Sequence, residues 1–174
     1  ISTSTRNQLI DKINQAKQNL VQHKVANEVN ISFITNTSLV DFFNKIQYSG
    51  SETLLHSFSK EQYYNIGLYH IKDDQFETYF IANIDIFDLA FAGMLEWEYT
   101  LSADITPLFG APVVETFDPA ARTDTQVRSA FFKDTIASNK GARILLDEVG
   151  NERIIYTFVN QNTILITTTR DALE

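Results

Sequence analysis

The stretch that most limits what this chain can fold into is its last one, GARILLDEVGNERIIYTFVNQNTILITTTRDALE, from Gly141 to the chain end. Three runs rich in β-branched and aromatic residues follow one another: Ile144 to Asp147, Arg153 to Val159 and Thr163 to Thr168. Gly150-Asn151 and Asn160-Gln161-Asn162 separate them. Turn formers at such short intervals leave room for hairpins only, so the stretch reads as three consecutive antiparallel strands followed by a helix start.

Upstream, Thr5 and Gln8 have the spacing of a capping box. Leu9, Ile10, Ile13, Ala16, Leu20 and Val21 then make an apolar stripe at helical period. Residues 1–25 therefore read as a helix lying on the sheet, or as a stalk leading out of a membrane anchor. Val29, Ile31 and Phe33 alternate as a strand. Ser38 with Asp41 caps a second helix whose apolar face is Leu39, Val40, Phe42, Phe43 and Ile46, and Ser49-Gly50-Ser51 stops it. Leu54 to Phe58 and Ile66 to Ile71 read as strands. Asp73-Asp74 reads as a hairpin tip and Phe76 to Ala82 as its second arm.

Asp85 is expected to cap the longest helix, with Asp88 in its first turn. From Ile86 to Trp97 that helix is apolar nearly all round, which predicts burial on more than one side. Pro107 is expected to end it. Residues 107–125 then form a loop long enough to be functional. Arg128 to Ile136 is a further strand, with Ala130, Phe132, Asp134 and Ile136 on one face.

Three segments, ISFITNTSLVDFF, YFIANIDIFDLAF and ILITTTRDALE, each pass from an apolar strand through a polar cap into an apolar helical face. This echo suggests a duplicated β-α-β-β unit. The expected class is α+β: one domain over residues 1–174, an antiparallel sheet with helices packed mainly on one face.

With 174 residues and 44% hydrophobic content, the chain can build a core without staples. It has no cysteine, which removes disulfides and thiolate chemistry. A formal net charge of −8 repels nucleic acid and anionic membrane surfaces. Its apolar runs are too short for a membrane helix.

Chemistry-bearing motifs are sparse. Of the three histidines, His23 falls near the end of the first helix, while His56 and His70 fall on neighbouring predicted strands. The latter two could share a face as a metal or acid–base pair, yet no third ligand is placed by spacing. Asp134 alternates in phase with Phe132 and Ile136, so it needs a cationic partner such as Arg143 or Arg128. His56 or His70 with Asp134 is the one hydrolase arrangement the residue types allow. Nucleophile-elbow, Walker and dinucleotide motifs are missing, and no cofactor or metal is expected.

LLDEVGNERIIYTFVNQNTILITTTRDALE, MLEWEYTLSADITPLFG and STRNQLIDKINQ together resemble the C-terminal region of an uncharacterised family of single-pass membrane proteins. The family is widespread in candidate phyla radiation (Patescibacteria) bacteria. The resemblance implies an extracytoplasmic domain tethered to the cell membrane just ahead of Ile1, and it implies no activity. The leading expectation is a non-enzymatic domain that binds a protein partner, self-associates or scaffolds a cell-envelope assembly. Trp97, Tyr99 and Phe109, beside the 107–125 loop, are its candidate binding residues. A small-ligand pocket between sheet and central helix is the alternative.

Overall fold

The computed structural model describes residues 3–22, 38–60, 63–71, 75–116 and 131–173. Among the described residues there are six strands: β1 (Tyr64–His70), β2 (Phe76–Asn83), β3 (Phe132–Ala137), β4 (Lys140–Leu146), β5 (Glu152–Asn160) and β6 (Thr163–Thr167). They form one antiparallel sheet in the order β1-β2-β6-β5-β4-β3. The closing stretch forms the predicted hairpins, and β6 comes to pair with β2 in the middle of the sheet. Its turns are set by local chemistry. Asp147 accepts the Val149 and Asn151 N–H groups around Gly150, and Asn160 Oδ1 accepts the Asn162 N–H. Between β3 and β4, Ser138 and Asn139 both have positive φ (48° and 61°), the two-residue turn whose twist matches a hairpin.

Among the described residues, four α-helices accompany the sheet: α1 (Thr3–Gln22), α2 (Leu39–Ile46), α3 (Glu52–Ser57) and α4 (Phe87–Phe109). One face of the sheet carries the core. Following the register, Arg143, Tyr156, Ile166, Phe80 and Ile66 lie side by side across that face. Ile13 of α1, Phe42 and Phe43 of α2, Leu54 of α3 and Met94 and Trp97 of α4 are wholly buried in the same cluster. On the opposite face, Ala142, Ile144 and Ile155 make a small second cluster beneath Leu173. Leu173 belongs to a 3-10 turn, Asp171–Leu173. Arg170 fastens that turn by donating to Glu152 and to the Ile136 carbonyl. The architecture is the expected α+β one, with helices on one face.

Several local expectations are corrected. Leu54 to Phe58 is not a strand: residues 52–57 form α3, which lies so close to α4 that Gly93 faces the Leu54 backbone. The duplicated β-α-β-β unit therefore finds no support, because its second strand is a helix here. Thr5 lies inside the first turn of α1 rather than ahead of it. Val40 points to solvent. Ser38 does cap α2, accepting the Asp41 N–H at 3.0 Å, but α2 ends at Gln47, which takes the left-handed conformation. Asp85 does not cap α4; its carboxylate accepts the Lys60 N–H instead.

Nor does Pro107 end α4. The helix runs through it to Gly110. A proline leaves the carbonyl four residues back without its N–H donor. Here that carbonyl, Ala103 O, accepts the Arg6 guanidinium of α1 at 2.6 Å. A second helix thus supplies the missing bond. The loop accordingly begins after Phe109, not at Pro107. The strand expected at Val29 to Phe33, the Asp73-Asp74 tip, His23, Ala130 and the 117–125 part of the loop lie outside the described residues. Among the described residues, no helix is long and apolar enough to cross a membrane.

Candidate functional site

Of the three residues expected to bind a partner, two are in the core. Trp97 is 0% exposed and stacks edge-on against Phe43 and Tyr48. Its Nε1–H donates to Asp104 at 2.8 Å. Asp104 also accepts the Ser49 N–H and hydroxyl, which ties the segment after α2 to α4. Phe109 is 2% exposed. Burial removes both from any direct contact with a partner. Tyr99 is 44% exposed, and its carbonyl accepts the Thr116 hydroxyl.

The histidines and Asp134 are not brought together. His70 is on β1 and Asp134 on β3, at opposite edges of the sheet. Five strand spacings put them roughly 24 Å apart. His56 is on α3, not on a strand beside His70, and α3 packs on α4. Asp134 shares a sheet face with Phe132 and Ile136 as expected, but its side chain is 89% exposed rather than buried. Its partner is Arg143, at 2.9 Å. Among the described residues, no group of three or more metal-ligating side chains is placed to hold an ion.

The register instead assembles a groove at the β3–β4 end of the helix-covered face. Asp134, Arg143 and Tyr156 form one row across β3, β4 and β5. In the next row, Gly141 pairs with Ile136, and Phe158, two residues on from Tyr156 along β5, lines the same groove. A Cβ built on Gly141 would meet nothing within 4 Å, so the row has a pit at its centre. Phe87 and Phe91, one helical turn apart on α4, wall it. Their rings meet Phe158 at centroid distances of 4.9 and 6.0 Å. The resulting groove has a volume of about 540 Å³. That is within the range of pockets that take a small molecule or one large side chain with its neighbours.

Beneath the groove lies a polar brace. Glu98 of α4 takes Arg143 in a two-pronged pair, Nε to Oε1 at 2.6 Å and Nη2 to Oε2 at 2.7 Å. The Tyr156 hydroxyl donates to the same carboxylate at 2.6 Å. The hydrogen bonds to Glu98 push the Arg143 guanidinium pKa up. Burial, with Glu98 beside it, pushes the Tyr156 phenol up, so it stays protonated as a donor. Each group is used by the others, so the brace fixes α4 to β4 and β5 and is not free for proton transfer to a ligand.

The outer edge of β3 is the groove's open side. A two-residue hairpin makes its flanking pair hydrogen-bonded, so Ala137, Thr135 and Lys133 bond to β4. Phe132, Asp134 and Ile136 therefore turn their N–H and C=O groups outward. Arg170 holds the Ile136 carbonyl at 3.2 Å. Among the described residues, no strand pairs with that edge.

Sequence reasoning missed this site. The signal is the excess of apolar residues at the start of α4, which predicts burial on more than one side. Ile86, Phe87, Leu89 and Phe91 are in fact exposed. Comparison with known proteins finds no matching family model, no matching curated protein and no matching solved structure.

Proposed function

We propose that this chain is a non-enzymatic binding domain that recognises a protein partner through the groove at Gly141, Phe87, Phe91 and Phe158. The observation that carries the reading is the groove itself. Three aromatic side chains, one of them 43% exposed at Phe91, surround a pit left by a missing side chain. Exposed aromatic surface beside a shaped concavity marks interaction sites on soluble domains. The recognition face moves accordingly, from the Trp97 region to the other end of α4. The family resemblance supports placing the domain on the extracytoplasmic side of a bacterial membrane, where scaffolding a cell-envelope assembly is the matching role.

The test uses a photo-reactive residue at Phe91 of the full chain in the cells that make it. It is expected to capture one discrete protein, and the same residue at exposed Val149, outside the groove, is not. No capture at Phe91, or equal capture at both positions, would overturn the proposal. A small-ligand role is the second reading, favoured by the groove's volume. A small molecule that copurifies with the native domain, and is lost on Gly141→Leu, would establish it.

A further inference from the structure

Resting on the reading of the groove as a protein-binding site, we propose how the partner enters it. An extended, basic segment of the partner adds as a strand to the outer edge of β3, then leaves the edge to place an apolar side chain in the Gly141 pit.

The edge argues for a strand. Phe132 and Asp134 offer outward N–H and C=O groups in the spacing that another strand requires. Natural edges are normally guarded by charge, bulges or cover. This one is flanked by Phe131, exposed and beneath the Lys133 ammonium, and by Ile136, which is 73% exposed. Its charges, Lys133 and Asp134, are of opposite sign on opposite faces, so they do not repel an incoming strand as a single-sign edge would.

The point of departure is also built in. Arg170 occupies the next outward carbonyl, that of Ile136. Strand pairing therefore stops beside Asp134, which is on the groove's rim. A chain released there is next to the pit.

Charge selects the segment. Only one oxygen of Asp134 is held by Arg143, and the side chain is otherwise in solvent. Glu98 saturates the other prongs of Arg143. The rim thus offers a carboxylate to a lysine or arginine on the incoming strand, and the net charge of −8 steers basic partners in. A second copy of this chain fits less well. It brings the same −8, and a two-fold pairing centred on Asp134 sets that carboxylate against itself.

The test selects from a displayed library of random linear peptides on the purified chain, then measures the enriched peptides individually. Enriched sequences are expected to carry a basic residue ahead of or behind a large apolar one. Backbone N-methylation along such a peptide is expected to weaken binding roughly tenfold at alternate positions and to leave the intervening ones unaffected, the signature of strand pairing. Asp134→Asn, a surface change, is expected to weaken binding roughly threefold and to reduce its salt dependence. Gly141→Leu, whose Cβ meets nothing within 4 Å, is expected to abolish it with the urea midpoint preserved.

The outcomes separate the two claims. If no peptide is enriched, or if enriched peptides bind Gly141→Leu unchanged, the groove reading fails, and this inference with it. If Gly141→Leu abolishes binding but N-methylation shows no alternation, the groove stands and strand addition is overturned. A concentration-dependent dimer broken by Gly141→Leu would seat a second copy there and overturn the basic-segment proposal.

Discussion

Asp147 closes the turn between β4 and β5 by accepting hydrogen bonds from Val149 N–H, Asn151 N–H, the Asn151 side chain and Arg153. Burial opposes its ionisation. The bonds from Asn151, Arg153 and Val149 outweigh that and hold its pKa down to about 2, from an ordinary 3.8. A carboxyl whose pKa is lower in the folded chain binds its proton more readily when unfolded. Its stabilising contribution is therefore complete above the unfolded value of 3.8 and is lost as pH falls through about 2. Urea midpoints measured across that window are expected to fall more steeply for the native chain than for Asp147→Asn, with the two curves converging at the acid end. Parallel curves would show that Asp147 is not coupled to folding. The turn itself is legible in Gly150-Asn151, whereas Asp147, expected as the last strand residue, lies just beyond β4 and closes the turn. Asp134 was legible in part. Its alternation with Phe132 and Ile136 gave the face and Arg143 the partner, but alternation does not tell whether anything covers that face. Here Phe132 is buried in the core while Asp134 and Ile136 on the same face are exposed.

At the scale of elements, the α3–α4 contact rests on Gly93. A Cβ there would come within 2.6 Å of the Leu54 backbone nitrogen and 2.7 Å of its Cα. Replacing a helix-interior glycine with alanine ordinarily gains about 1 kcal/mol from propensity alone. Overpacking a tight contact costs about 1–3 kcal/mol, and here the obstacle is backbone, which cannot rotate aside. The clash should win, so Gly93→Ala is expected to lower stability by up to about 2 kcal/mol. A rise in its urea midpoint would show that α3 yields freely. The same contact explains why α3 was misread. Leu54 to Phe58 is a short apolar run, and its helical state is decided by packing against α4, which lies more than thirty residues away in sequence. Pro107 is the same lesson at the other end of α4. A local rule predicts a stop, and Arg6, from the first helix, cancels it. Hairpins such as β4–β5–β6 were legible because their turns carry their own instructions.

For the whole molecule, the question is whether the sheet and its helical layer are one cooperative unit. All four helices contribute to a single cluster with the sheet: Ile13 from α1, Phe42 from α2, Leu54 from α3 and Met94 from α4, against Phe80, Tyr156 and Ile166. Glu98 ties α4 to Arg143 of β4 and Tyr156 of β5 across the two layers, and Arg6 ties α1 to the Ala103 carbonyl of α4 within the helical layer. The groove depends on that union, because Phe87 and Phe91 come from the helix while Gly141 and Phe158 come from the sheet. The chain's one tryptophan, Trp97, is 0% exposed at the junction of α2 and α4. Its fluorescence therefore reports on the helical layer, while far-UV circular dichroism reports on helices and strands together. With a shared core, the two signals are expected to change at the same urea concentration. If fluorescence changes first, the helical layer leaves the sheet before the strands separate. The groove would then be lost in the intermediate, and peptide binding would follow the fluorescence curve rather than the dichroism.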